Sequence, residues 1–112
     1  MLDTKVVSHL PGLYHGWPTL ARRGDGELLL VCSGGREQHV CPFGRTDFMR
    51  SGDGGESWSF PSVVMDGPID DRDAGVLETA KGSILITNFP SLAYEPQLKG
   101  KGERWQAAHR RT

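Results

Sequence analysis

Two short stretches of the sequence concentrate side chains that could do chemistry, residues 36–44 and residues 70–73. Arginine binds a carboxylate through its planar fork of N–H donors, and histidine or a carboxyl group can transfer a proton. If the fold brings the two stretches together, the carboxylates would hold the arginines in position and leave a proton donor or acceptor. The candidate proton-transfer residues are His39, Asp71, Asp73 and Glu37, and the candidate binding residues are Arg36, Arg72 and Asp70.

Among these candidates, His39 is the natural proton donor or acceptor, because histidine titrates near neutral pH. Asp71 or Asp73 would take that role where burial disfavours the charged carboxylate. The same residues also have a structural interpretation. In that alternative, Arg36 forms an ordinary salt bridge with the stretch 70–73, and the aspartates cap turns, as aspartate often does.

The elements that must position these residues are predicted to be β-strands joined by tight turns, because 15 glycines and seven prolines among 112 residues are typical of a turn-rich β protein. The most apolar strand is expected to be covered on both faces, with Cys32 as a small buried residue, and Gly34 and Gly35 are expected to end it. An Asp-Gly turn at residues 23–26 precedes that strand. The predicted strands cover residues 19–22, 27–33, 45–50, 59–65, 74–79 and 83–89, and a helix is predicted over 103–111.

The stretch from Ser51 to Trp58 is predicted to fold as a turn that its own side chains fix. Asp53 can accept bonds from the amides that follow it, and glycine accepts positive φ. Ser51 can bond the same turn, and Trp58 supplies a large apolar ring that packs the turn against the sheet. We therefore predict a β-hairpin with the structural residues Ser51, Asp53, Gly55 and Trp58 at its turn.

These four residues fit the spacing S-x-D-x-G-x-[ST]-W, which resembles the Asp box of the sialidase (neuraminidase) and BNR-repeat families. Those families fold as β-propellers, and their Asp box is a structural turn away from the active centre. The resemblance implies an all-β fold, a fragment of a sialidase-like β-propeller with a short C-terminal helix. It comprises about one complete four-stranded blade at residues 18–65 and part of a second at 70–112, related by a weak internal repeat of about 55 residues.

The resemblance also implies an exo-acting glycoside hydrolase for terminal sugars of glycans, with no cofactor. Arg36 stands where the family has an arginine, whereas the acid/base place falls near Glu37 and His39 and contains no aspartate. Residues 14–18 lack the arginine of the family's first-strand motif, and the tyrosine nucleophile would lie beyond residue 112. The alternative is a non-catalytic propeller that binds a glycan or a protein and keeps the Asp box for folding alone.

Two aromatic residues, His15 and Trp17, are further candidates for substrate binding, because such rings can stack on a sugar. The alternative for both is a packed loop. The spacing of His39 and Cys41 matches no zinc pattern, so we expect no metal site. Trp105 is expected to lie in the core and not at a ligand.

Composition argues against several classes of partner. A formal net charge of −1 and a pI of about 6.4 give no electrostatic case for nucleic acid or an anionic membrane. The longest apolar run is too short to cross a bilayer, and no signal segment opens the chain, so the cytoplasm is the default expectation for its compartment. Two blades leave sheet edges and apolar faces open, and we therefore expect self-association.

Overall fold

The computed structural model describes residues 3–110, and within that range the chain is mostly β-structure. Arg111, the last residue of the predicted helix, lies outside the described residues. No helix in the described range is long and apolar enough to cross a membrane. The elements in chain order are β1 (Tyr14–Arg22), β2 (Leu28–Arg36), β3 (Arg45–Ser51), β4 (Ser62–Met65), β5 (Asp70–Glu78), β6 (Ile84–Ser91), a 3₁₀-helix (Glu95–Gly100) and α1 (Glu103–His109).

The strands form two antiparallel sheets. The first sheet has the order β1-β2-β3-β4, and the second contains β5 and β6. The expectation of an all-β fold is therefore confirmed. Because side chains alternate across a strand, β2 directs Leu29 and Val31 to one face, where they pack with Ala74 and Val76 of β5. This main core joins the two sheets face to face.

An internal repeat relates β1 and β2 to β5 and β6. Strands β1 and β5 each have nine residues and begin at Tyr14 and Asp70, 56 positions apart. The same 56-residue offset separates the first residues of β2 and β6, and it separates the left-handed glycines Gly26 and Gly82 in the two hairpin turns. The backbone bonds of the turns repeat as well, from Gly26 N to Arg23 O and from Gly82 N to Thr79 O. The repeat predicted from the sequence is thus a repeat of structure.

Several strand boundaries differ from the predicted ones. Gly34 and Gly35 do not end the second strand, because β2 continues to Arg36. Glycine is needed at position 34 for close approach, since a Cβ there would overlap the carboxylate of Asp47 on β3. Strand β4 covers only residues 62–65, and β5 starts at Asp70, so the acidic stretch 70–73 belongs to a strand and not to a loop.

The turn over residues 51–58 folds as predicted. Asp53 Oδ1 accepts bonds from Ser51 Oγ and from Ser57 N, both at 2.9 Å, and Asp53 Oδ2 accepts one from Ser57 Oγ at 2.5 Å. The amide of Gly55 donates to Ser51 Oγ at 2.9 Å, and Trp58 Nε1 donates to Gly55 O at 3.1 Å. Trp58 is only half-buried, however. The turn is therefore fixed mainly by hydrogen bonds, and the ring contributes less burial than we predicted.

Two carboxylates are held in the charged form by donors around them. The side-chain hydroxyl and then the amide of Ser57 lower the pKa of Asp53 to about 2. At the hairpin end of the first sheet, Arg50 and then Arg23 lower the pKa of Glu27 to about 2. A group whose pKa is lower in the folded state stabilises the fold above its unfolded pKa and loses that contribution as the pH falls through its folded pKa.

Acid should therefore destabilise the protein progressively between about pH 4 and pH 2, the interval between the ordinary aspartate pKa and that of Asp53. Asp53→Asn should lower the free energy of unfolding at pH 7 and should make its decline toward pH 2 shallower. Urea denaturation at several pH values measures both effects. Asp66→Asn is the matched control, because Asp66 is exposed, and it should behave like the wild type. An acid profile of Asp53→Asn that parallels the wild type would contradict the prediction.

A second, smaller core lies where the C-terminal helices pack on the segment after β2. Its buried residues are Cys41, Tyr94 and Trp105, and Val40, Phe43, Ile69 and Leu98 pack around them. Trp105 is thus a core residue, as expected, and Cys41 packs beside it. This cluster fixes the segment 37–44, which carries His39.

Candidate functional site

The centre of the candidate site is a buried ion pair between the two sheets. Both Nη atoms of Arg36 donate to the Asp70 carboxylate, at 2.5 and 2.8 Å, and both side chains are 0% exposed. Nη1 also donates to Ser33 Oγ, and Nη2 to the backbone carbonyl of His39, each at 2.8 Å. Burial raises the pKa of the Asp70 carboxyl, and the bonds from Arg36 oppose that rise. The salt bridge that the sequence offered as an alternative for Arg36 is therefore present.

Two glycines let this pair form. A Cβ on Gly44 would collide with the carboxylate of Asp70 and with Nη1 of Arg36. Gly35 adopts a φ of 66° immediately before Arg36, a left-handed conformation that glycine takes without the usual steric cost. Simple alternation would put residue 36 on the face opposite Ser33, so the left-handed backbone at Gly35 explains how Arg36 reaches Ser33.

Three aromatic rings lie beside the ion pair, and we call Tyr14, Trp17 and His39 the aromatic cluster. The ring centroid of Trp17 is 4.8 Å from that of His39 and 5.8 Å from that of Tyr14, and the rings of Tyr14 and His39 are 6.4 Å apart. His39 is exposed, Tyr14 is 40% exposed and Trp17 is half-buried. The cluster therefore presents aromatic surface to solvent.

The guanidinium of Arg72 also lies against the aromatic cluster. Its Cζ is 4.6 Å from the Trp17 centroid, and Cζ of Arg36 is 4.9 Å from the same ring. The Arg72 side chain is only 13% exposed, and its Nε is 4.0 Å from Asp70 Oδ2. Among residues 3–110 that buried Nε has no hydrogen-bond partner. Buried polar groups are normally bonded. Nε of Arg36 is likewise buried without a hydrogen bond, but the Nη atoms of Arg36 bond to Asp70, Ser33 and His39.

Trp17 reaches this position through an irregularity in β1. The strand pairing shifts register between Gly16 and Thr19, and Trp17 has a φ of 53°. A left-handed residue other than glycine costs of the order of 1–3 kcal/mol and tends to occur at functional sites. Asp73, 56 positions later, has a φ of 48° at the corresponding register shift in β5. The repeat thus includes this irregularity. In the first hairpin it places the indole ring of Trp17 beside Arg36 and Arg72.

The remaining candidates on β5 face different surroundings. Asp71 is buried, and its carboxylate accepts bonds from Gly67 N at 2.5 Å and from Asn88 Nδ2 at 2.6 Å. It therefore fixes the start of β5, as the capping alternative predicted. Asp73 is exposed, and its side chain makes no hydrogen bond to the described part of the chain.

Glu37 is engaged by the C-terminal helix. Its Oε2 accepts a bond from Trp105 Nε1 at 2.8 Å, and its Oε1 pairs with Arg104. The neighbouring Gln38 bonds to Gln97 and to Lys101. These contacts tie the segment 37–44 to the second core, and they leave Glu37 directed at the helix.

His15 does not join Trp17, although the sequence placed the two together. Its ring lies with Cys32 and Asp47, and one potential ligand atom from each of the three falls within 4.8 Å of the others. Cys32 and Asp47 are directly paired across β2 and β3. Burial, and then the charge of Asp47, raise the pKa of the Cys32 thiol to about 11. A thiol of that kind is a poor nucleophile in the absence of a cation.

The structure therefore brings together Arg36, Asp70, Arg72, Trp17 and His39, and it separates Glu37 and His15 from them. The Nη atoms of Arg36 are used by protein partners, so Arg36 positions the site and Arg72 is the cation left for a ligand. Sequence reasoning did not select Tyr14, which it saw only as part of an aromatic segment. It also missed Gly44, because a close approach between distant residues leaves no local pattern.

No protein-family model matches the chain, and neither the curated proteins nor the solved structures include a match.

Proposed function

We propose that the two sheets are neighbouring blades of a sialidase-like β-propeller and that the aromatic cluster with Arg72 binds an acidic terminal sugar of a glycan. The sugar's carboxylate would pair with the guanidinium of Arg72, and its ring would lie on the exposed aromatic surface. In this role Arg36 and Asp70 hold the site together without touching the ligand.

The observation that carries the proposal is the burial and incomplete hydrogen bonding of the Arg72 guanidinium. Its side chain is 13% exposed and its Cζ lies 4.6 Å from the Trp17 centroid. Its Nε is 4.0 Å from Asp70 Oδ2 and has no hydrogen-bond partner among residues 3–110. Buried donors are normally hydrogen-bonded, and Asp70 gives this Nε a charge partner without a hydrogen bond. A planar carboxylate would satisfy the donors of Arg72 in bidentate fashion, and the nearby rings would supply the apolar contact that a sugar needs.

Three features support the assignment to propeller blades. The first sheet is a four-stranded antiparallel meander with a self-bonded turn between β3 and β4. The second sheet repeats its first hairpin at a 56-residue offset and stacks on it face to face. The outer face of the second sheet carries exposed Leu77, Leu85 and Phe89, as a blade would where another blade packs. A propeller has typically four to eight blades, so the proposal requires others, and self-association through this face stays a prediction.

Exo-acting glycoside hydrolysis is the second candidate function. The exposed ring of His39 lies 6.4 Å from that of Tyr14 at the edge of the proposed sugar site, where a proton donor would be useful. Asp71 already holds two hydrogen bonds and Glu37 is bound to α1, which leaves Asp73 as the carboxylate for this role. Turnover of an aryl glycoside that is lost in His39→Gln at unchanged melting temperature would favour this candidate over binding alone.

The binding proposal predicts selectivity for acidic sugars that depends on Arg72. Methyl glycosides of N-acetylneuraminic acid and of glucuronic acid should bind more tightly than that of galactose, by calorimetry on the 112-residue chain. Arg72→Gln should weaken binding of the acidic sugar by about 10–100-fold, because charge-assisted bonds contribute roughly 1.5–3 kcal/mol. Arg22→Gln is the matched control, since Arg22 is an exposed arginine at the other end of β1.

Two results would contradict this prediction. One is equal affinity for the acidic and the neutral glycosides. The other is an Arg72→Gln variant that binds as the Arg22→Gln control does while its circular dichroism spectrum and melting temperature match those of the wild type.

A further inference from the structure

We propose that His15, Cys32 and Asp47 form a zinc site on the face of the first sheet that points away from the second sheet. One nitrogen, one sulfur and one oxygen atom of these residues lie within 4.8 Å of one another. Leu29 and Val31 of β2 face the main core, so alternation directs Cys32 to the opposite face. The site is thus separate from the aromatic cluster and from the proposed sugar site.

The hydrogen bonding of His15 leaves one ring nitrogen available to bind a metal. Nδ1 lies 3.1 Å from the hydroxyl of Ser8, whereas Nε2 is buried and has no hydrogen-bond partner in residues 3–110. With Nδ1–H donating to Ser8, Nε2 carries the free lone pair. Metal-binding histidines have this arrangement, in which a supporting partner fixes the tautomer and the ring orientation.

Asp47 resembles His15 in that one side-chain atom has a hydrogen bond and another buried atom has none. Its side chain is fully buried, and its Oδ1 accepts a bond from Arg45 Nε at 3.0 Å. Its Oδ2 has no partner in the described part of the chain. A buried carboxylate oxygen without a partner is costly, and a cation bound to it would remove that cost. His15 and Asp47 thus each contain a buried atom without a hydrogen-bond partner, and both belong to the group whose potential ligand atoms lie within 4.8 Å of one another. Together these observations indicate a ligand.

The donor set selects zinc over harder cations. Imidazole nitrogen and thiolate sulfur suit Zn²⁺, whereas Mg²⁺ and Ca²⁺ prefer oxygen ligands alone. Zinc–ligand bonds of about 2.0–2.3 Å place tetrahedral ligands roughly 3.3–3.8 Å apart, and since the three atoms lie within 4.8 Å of one another, they need to draw together by at most about 1.5 Å. Cys32 and Asp47 are held opposite each other on paired strands, so side-chain torsions, and not the sheet, would supply this movement.

A fourth coordination position would open to a pocket. A cavity of about 340 Å³ adjoins the group and is lined by His15, Cys32, Met49, Lys5 and other residues of the N-terminal segment. Three protein ligands with an open fourth position are typical of zinc sites that keep a water molecule or a substrate atom on the metal. The ligands are spread over three strands and match no zinc motif, which explains why the sequence indicated no metal.

The proposal predicts that the metal-free 112-residue chain binds one Zn²⁺ and melts at a higher temperature with it than without it. His15→Ala and Cys32→Ala should each weaken binding by more than about 100-fold, because loss of a mere supporting partner already costs 10–100-fold. Ser8→Ala should fall in that smaller range, since it removes only the partner of Nδ1. Chelator competition measures the affinities, and Co²⁺ as a probe should give a thiolate charge-transfer band that disappears in Cys32→Ala.

The matched control is Cys41→Ala, because Cys41 is the other free cysteine and is equally buried in the second core. It should bind Zn²⁺ as the wild type does and keep the Co²⁺ band. Absence of stoichiometric Zn²⁺ binding by the wild type would overturn the proposal. So would equal loss in Cys32→Ala and Cys41→Ala, or a His15→Ala variant that retains the wild-type affinity. Since His15 is only half-buried, its variant remains informative if Cys32→Ala does not fold.

Discussion

Arg36→Met is expected to lower the free energy of unfolding by about 3–5 kcal/mol, because it removes both hydrogen bonds that Arg36 donates to the buried Asp70 carboxylate and leaves only the Arg72 guanidinium near it, with Nε 4.0 Å away. Arg36 and Asp70 are both 0% exposed, and their bidentate bond joins the two sheets. The loss would be a large share of the stability of an ordinary domain. Urea denaturation, followed by fluorescence and by circular dichroism, measures it.

Replacing both partners separates the cost of an unpaired charge from the value of the pair. The double variant Arg36→Met, Asp70→Leu should recover most of the lost stability, because apolar residues of similar volume often replace a buried ion pair without loss. Arg110→Met is the matched control, since it breaks a surface pair with Glu103, and exposed pairs contribute about 0–1 kcal/mol. Equal effects of Arg36→Met and Arg110→Met would contradict the described packing between the sheets.

Trp105→Ala is expected to cost about 3–5 kcal/mol, the usual range for removing a buried tryptophan. The ring packs against Cys41 and Tyr94 in the second core, and its Nε1 bonds to Glu37. Its removal should therefore release the segment 37–44 as well as the C-terminal helix. Hydrogen exchange should show faster exchange for the amides of this segment, and affinity for an acidic sugar should fall because His39 is no longer fixed.

Trp58→Ala is the matched control for this variant. Trp58 is half-buried and belongs to the turn over residues 51–58, so its loss should cost less and leave exchange in the segment 37–44 unchanged. The account is contradicted if Trp58→Ala destabilises the chain as much as Trp105→Ala does, or if the segment keeps its protection without Trp105.

The sequence was sufficient for the parts of the fold that depend on local chemistry. The turn at residues 51–58 was predicted because Ser51 and Asp53 bond within their own turn, and β3 was predicted to within one residue. The hairpin repeat was visible because both copies place glycine at the same position, Gly26 and Gly82. Alternation and turn residues act over a few positions, so they can be read without knowledge of the tertiary structure.

The predictions that failed concern contacts between distant residues. Gly34 and Gly35 were expected to end a strand, but β2 continues because Gly34 pairs with Arg45 of β3. Glycine at position 34 also leaves room for the Asp47 carboxylate. The aspartates of the stretch 70–73 looked like a loop, yet Asp70 is buried in β5 because Arg36 pairs with it. Each of these positions depends on a partner on another strand, 13 positions away for Gly34 and 34 for Asp70, and no local pattern records the pairing.

The candidate site was predictable where it depends on residue types, and it was not predictable where it depends on backbone irregularity or strand pairing. Arginine and acidic residues in two stretches indicated an ion pair, and the structure joins Arg36 to Asp70. The position of Trp17 depends on a register shift and a left-handed backbone, which composition does not predict. The grouping of His15 with Cys32 and Asp47 depends on strand pairing and was likewise hidden.

The central claim, that Arg72 and the aromatic cluster bind an acidic sugar, is tested most directly by NMR titration of the isotope-labelled 112-residue chain. The ligands are the methyl glycosides of N-acetylneuraminic acid and of glucuronic acid, each paired with its methyl ester as an uncharged control. The account predicts saturable shifts of the Arg72 Nε–H, the Trp17 indole N–H and the His39 ring with at least one acid, and much weaker shifts with its ester. Shifts confined to other residues, or equal responses to acid and ester, would contradict it.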